Sequence, residues 1–241
     1  MCATRISEVP KTFGLNNNGG SLFCYSRCEM KSLERLTMEH ALVGRGLGAL
    51  EIIVRKIDSG ENVPREAVQK LLNFFEVFGD RYHLIKEESV FIPSLEDGCE
   101  SKSQCDIGPA IGEAYDGHEL ARILLRDMRS SSQRLDADDR KLAFVRNAVD
   151  YMGLMREQIA REKNMLIRTA SFRLADEDRR LTRSFRQYAE REMIPETSQQ
   201  FASDIDAILS ELSVTVPPAR RRAYSRGTIP YHSEANQAPR F

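Results

Sequence analysis

Four stretches of this chain repeat apolar residues at alternating intervals of three and four, a spacing that gives each a helix with one buried face. The first runs from Ser32 through Leu33, Leu36, His40, Val43, Leu47, Leu50 and Val54, and should stop near the DSGEN segment at 58–62. Pro64 suits the first turn of a second helix. Its inward face reads Val68, Leu72, Phe75, Gly79, His83, Glu87 and Val90, and Pro93 ends it or lies just past its end. After a polar loop, Pro109 opens a third helix with Ile111, Tyr115, His118, Ala121, Leu125 and Met128 on one face. The SSSQRLDADD segment is a break, with Asp136 a reasonable N-cap. The fourth helix then aligns Val145, Ala148, Met152, Met155, Gln158, Glu162 and Met165. Four long helices joined by short to medium loops imply an all-α, up-down-up-down four-helix bundle.

The flanks read differently. Residues 1–29 hold an NNNGG run and little periodicity, so they form a flexible arm ahead of a bundle at 30–172. Two charged helical patterns, about 174–192 and 197–213, give additional C-terminal helices within an extension at 173–214. Residues 215–241 then read as a disordered basic tail.

Lys and Arg number 35 against 36 Asp and Glu, so the formal net charge is −1 and no polyanion partner is implied for the chain as a whole. The ARRRAYSR stretch of the tail is a weak nucleic-acid signal, and a solvated tail is the plainer reading. No apolar run approaches the ~18 residues of a membrane span, and the start of the chain lacks a signal-peptide core, so no membrane partner and a cytoplasmic location are expected. Five cysteines, including Cys24, Cys28, Cys99 and Cys105, read as reduced thiols, since their spacing is not a strong zinc pattern.

Six polar residues interrupt the apolar stripes: His40, His83, Glu87, His118, Gln158 and Glu162. A carboxylate on a buried face needs a counter-charge, hydrogen bonds or a metal. Residues four apart stack on a helix face, so His83 with Glu87, and Gln158 with Glu162, each point one way. His40 and His118 lie about ten residues into their helices, about 15 Å along the axis. His83, Gln158 and Glu162 lie a similar distance from the ends of theirs, so in an antiparallel bundle all six meet in one layer near one end. A single histidine on an apolar face is more often a hydrogen-bonded core residue. Three of the four histidines converging with two carboxylates make a set suited to iron, manganese or zinc.

The halves also repeat. REQIAREKNMLI at 156–167 aligns with RYHLIKEESVFI at 81–92, placing Arg156 on Arg81, Ile159 on Leu84, Glu162 on Glu87 and Ile167 on Ile92. The exception is Gln158, which falls on His83. Two copies of a helical hairpin would produce this pattern.

The segments LTMEHALVGRGLGALE, FFEVFGDRYHLIKEESVFIPSLE, IGPAIGEAYDGHELARILLRDM and YMGLMREQIAREKNMLI resemble, in that order, those of a hemerythrin-like (HHE cation-binding) domain, over about residues 32–170. The resemblance implies a four-helix bundle around a non-heme di-iron centre. His40, His83 and His118 would be terminal ligands, and Glu87 and Glu162 bridging carboxylates. Position 158 should be histidine and is Gln158. Its amide could coordinate, orient a metal-bound water, or leave one metal weakly held or absent, giving a mononuclear iron or another divalent-metal site.

The small ligands implied are oxygen, peroxide or nitric oxide. Three functions follow as alternatives: oxygen, redox or iron sensing and binding; a non-heme iron oxidoreductase; or a vestigial bundle serving as an interaction module. Tyr82, Tyr115 and Tyr151 fall near the ligand positions, more in keeping with core residues than with a role at a metal. Gly79 could leave room for a small ligand, and Glu88 and Glu119 are expected at the surface.

Overall fold

The structure is a computed structural model that describes residues 30–97, 106–192 and 195–213. The expected arm at 1–29, the basic tail at 215–241 and all five cysteines lie outside the described residues. The helices are α1 (Lys31–Asp58), α2 (residues 65–97), α3 (Gly108–Ser132), α4 (residues 138–173), α5 (Asp178–Glu192) and α6 (Pro195–Ser213). No strand occurs among the described residues. α1 packs on α2 and α4, α3 on α4 and α2, and the four make the expected bundle. The additional helices α5 and α6 lie against α1 and α2.

The apolar stripes produce two buried clusters rather than one. The larger includes Val43, Leu47, Phe75, Leu84, Ala121, Tyr151 and Met155, and the smaller includes Leu36, Phe91, Ala114, Ile111 and Leu166. On every bundle helix the polar residues sit between members of the two clusters. The polar layer therefore separates them, toward the end where α1 begins. Phe185 of α5 belongs to the smaller cluster, and Phe201, Ile205 and Ile208 of α6 to the larger.

Several local expectations shift. α1 stops where foreseen, with Gly60 at φ +77° just beyond it, a conformation glycine adopts without strain. Pro64 is the N-cap of α2 and stands outside its first turn, because the helix begins at Arg65. Ala137, not Asp136, is the N-cap of α4; Asp138 and Asp139 instead occupy the first turn, where the helix dipole favours negative charge.

Pro93 does not end α2, which continues to Asp97. A π-helical stretch, Glu87–Phe91, directly precedes it. That wider turn loosens the ladder where a proline ring would otherwise meet the carbonyl one turn back. α2 carries a second π-helical stretch at Phe75–Leu84, and α4 carries one at Glu162–Ile167. The last corrects the inward face of α4. Met165 is 45% exposed and Leu166 is buried, because the wider turn delays the inward position by one residue. On α3, Tyr115 is half-exposed and Ala114, four residues before His118, takes the buried position.

α5 closes a gap that α1 leaves open. Met30, the N-cap of α1, has no side chain that can accept a hydrogen bond from the first turn. Asp178, the first residue of α5, does so from outside: its carboxylate accepts from the backbone N–H of Lys31 (3.2 Å) and of Ser32 (3.1 Å), and from Ser32 Oγ (2.6 Å). Burial raises the Asp178 carboxyl, but the Ser32 bonds outweigh this and hold it below its ordinary value. Asp178→Ala should lower stability by about 1–2 kcal/mol, as loss of a strong N-cap does, in equilibrium urea unfolding. A loss below about 0.3 kcal/mol would show that the cap is dispensable.

Candidate metal centre

All six predicted residues reach the polar layer, and none is more than 6% exposed. α1 supplies His40, α2 His83 and Glu87, α3 His118, and α4 Gln158 and Glu162. The carboxylates define two lobes. In one, His40 Nε2 lies 3.0 Å from Glu162 Oε2 and 3.5 Å from Glu87 Oε1, and His83 Nε2 lies 3.8 Å from the same Glu87 oxygen. The His40 and His83 rings meet edge to face at 4.8 Å. In the other, His118 Nε2 lies 3.6 Å from Glu87 Oε2 and 3.5 Å from Glu162 Oε1. Each carboxylate thus gives one oxygen to each lobe.

Most of the atoms that converge have no hydrogen-bond partner: Nε2 of His40, His83 and His118, both oxygens of Glu87 and Oε1 of Glu162. Buried polar atoms are normally satisfied, so such a cluster is one that could hold a cation. One donor atom each from His40, His83, Glu87 and Glu162 falls within 4.8 Å of the others, compact enough to enclose an ion. Imidazole and carboxylate are donors for iron, zinc or manganese. The residues present therefore fit a metal.

The histidines and carboxylates of the layer also support one another's charges. Burial disfavours a charged His40, yet its contacts with Glu162 and Glu87 raise it to about 10. His118 rises to about 9 against the same opposition, through Glu162 and Glu88. Glu162, which burial would raise, is held well below the ordinary carboxylate range by His118 and His40. A cation bound in the layer would take the place of these protons.

Around the centre stand charged residues that the helical stripes did not single out. Glu39 Oε2 lies 3.0 Å from His83 Nδ1 and also accepts from the Lys86 ammonium. Burial raises the Glu39 carboxyl, but Lys86 and His83 together bring it to about 2. Lys86 is fully buried, its Nζ 4.6 Å from the Tyr82 ring centre and 4.9 Å from that of Phe185. Glu88, expected at the surface, instead turns to His118 Nδ1 at 2.8 Å and pairs with Arg122. The i+1 position was a poor guide because the π-helical stretch opening at Glu87 redirects its neighbour. Glu119 is exposed as expected. With carboxylates on their Nδ1 atoms, His83 and His118 present Nε2 to the layer. The available signal was adjacency: MEH at 38–40 and KEE at 86–88 put these charges beside residues of the polar layer.

Tyr82 accepts a hydrogen bond from Arg35 (2.7 Å), and Tyr151 packs edge to face on Phe75, so both are core residues. Gly79 is not demanded by close packing, since an added Cβ would meet Phe75 and Tyr151 Oη only at ordinary contact distances of 3.8–3.9 Å.

Gln158 is buried, but its amide engages α3. Its Nε2 donates to the Ala114 carbonyl over 3.4 Å, and its Oε1 has no hydrogen-bond partner. That oxygen lies only 2.4 Å from where a Cβ on residue 117 would stand, so Gly117 makes the position possible. A small cavity of about 10 Å³, at the lower limit for one water, adjoins the amide. Ala114, Glu113, Arg161 and Glu162 help to line it. Glu113 and Arg161 are exposed, so the cavity reaches the surface.

No helix among the described residues is long and apolar enough to cross a membrane. Neither a curated protein nor a solved structure matches the chain significantly. One family model does match, that of the hemerythrin HHE cation binding domain, across residues 31–170. The match spans all four bundle helices but for the last few residues of α4, and with them every residue of the polar layer. The chain belongs to the hemerythrin HHE cation-binding domain family.

Proposed function

We propose that this chain is a non-heme iron protein of the oxygen-, redox- or iron-sensing and binding kind. It holds a di-iron pair through His40, His83, His118, Glu87 and Glu162. The observation that carries this reading is the split of Glu87 and Glu162, each with one oxygen facing His40 and the other facing His118. Two such carboxylates between separate sets of imidazoles are what two adjacent cations require.

Iron held there would supply reversible electron transfer and a position for a small molecule such as oxygen, peroxide or nitric oxide. The chain's own part is to hold the donors in place. Glu39 and Glu88 keep His83 and His118 aimed inward, and the two apolar clusters exclude bulk water from either side.

The test is to load the full chain with ferrous ion anaerobically, measure bound iron, and follow the visible spectrum through cycles of oxygen and argon. A sensor or carrier retains iron and changes its spectrum reversibly. Catalytic consumption of peroxide in proportion to iron would make it an oxidoreductase instead. A chain that retains no iron would overturn the metal reading.

A further inference from the structure

We infer that the two lobes are unequal: the one around His118 is an exchangeable metal position, kept weak by Gln158. This rests on the metal reading above and goes beyond it. The His40–His83 lobe has two imidazole nitrogens and one oxygen from each carboxylate, a four-donor set that can surround an ion from protein atoms alone. The His118 lobe has one imidazole and the two remaining oxygens.

The residue that would complete it is Gln158, and its amide is committed elsewhere. The amide N–H holds the Ala114 carbonyl, and the amide oxygen rests in the space left by the missing side chain of Gly117. An amide oxygen is also a weaker donor than imidazole for a borderline cation. The surface cavity lies on this same side, lined by Gln158 and Glu162, with exposed Arg161 and Glu113 3.9 Å apart. The second cation is thus less tightly held, and occupancy of the His118 lobe responds to metal supply while the His40–His83 lobe stays filled.

The experiment is an anaerobic titration of the full metal-free chain with ferrous ion against a competing chelator, read as bound iron. The native chain should show two classes of site, with dissociation constants at least about tenfold apart, the scale on which metal-site partners act. His118→Ala should remove only the weaker class. Gln158→His should bring the second constant to within a few-fold of the first. Two irons held equally tightly by the native chain, or a gap unchanged by Gln158→His, would overturn the inequality and leave the metal reading intact. A chain that takes up no iron in either form would remove both.

Discussion

Glu162→Ala should abolish iron retention and, with it, the thermal stabilisation that iron confers. Glu162 offers one oxygen to each lobe, so its loss damages both positions at once. Groups that merely orient a ligand change metal affinity by about 10–100-fold. Loss of a donor shared by two positions should exceed the upper end of that range. At free ferrous ion about a hundredfold above the dissociation constant, binding to the folded state alone adds about 2.7 kcal/mol. For a chain of this size that is a rise in melting temperature of roughly 5–11 °C. Differential scanning calorimetry with and without iron, under argon, reads the effect. The native chain should shift and Glu162→Ala should not, while Glu119→Ala, on an exposed residue, should behave as native. A full iron-dependent shift in Glu162→Ala would remove Glu162 from the centre.

Lys86→Met is the substitution with the largest expected effect on the fold itself. Lys86 has no exposed surface, and its ammonium is paired with Glu39 between two aromatic rings. Without it, Glu39 is a buried carboxylate whose remaining charged neighbours include His83 and, at 3.5 Å, Arg35, with Oε1 lacking a hydrogen bond. Breaking one side of such a pair costs about 3–5 kcal/mol, or roughly 6–20 °C in melting temperature here.

The pH dependence has a definite sign. The folded Glu39 carboxyl sits at about 2, below its ordinary 4.5, so its stabilisation is complete above 4.5 and is lost as pH falls toward 2. The deficit of Lys86→Met should therefore be largest near neutrality and shrink in acid. Replacing both partners, Glu39→Leu with Lys86→Met, should recover much of the stability, because an apolar pair avoids the desolvation of two charges. It should also weaken iron binding by about 10–100-fold, since His83 Nδ1 loses its carboxylate. Melting curves and iron titration of both variants separate the two effects. A Lys86→Met protein within about 1 kcal/mol of native would show that the pair is not a structural element.

The bundle was legible because its information is periodic. Leu33, Leu36, Val43, Leu47, Leu50 and Val54 repeat often enough to determine which face of α1 is buried, and all six are. The six residues of the polar layer were legible for the same reason, as polar interruptions of an apolar stripe. Glu39, Lys86 and Glu88 were not, because they lie one residue off the stripe, where a helix of uniform pitch would carry them away from the centre. The cap from Asp178 was hidden by distance, 147 residues from Lys31. No local pattern links an aspartate opening one helix to the bare N-terminus of another. The setting of Gln158 was also out of reach, since its identity was plain but the space at Gly117 exists only once α3 and α4 are packed.

The π-helical stretches bear on how the two halves came to differ. One opens at Glu87 and another at Glu162, the matching positions of the repeated segments. The repeat therefore extends from side chains to an irregularity of the backbone. The contrast between His83 and Gln158 lies outside that shared backbone feature: His83 stands in the other π-helical stretch of α2, Phe75–Leu84, and Gln158 in regular α-helix beside Gly117. Glutamine and histidine codons can differ by a single base. A chain built this way can change the number of imidazoles facing its polar layer in one step.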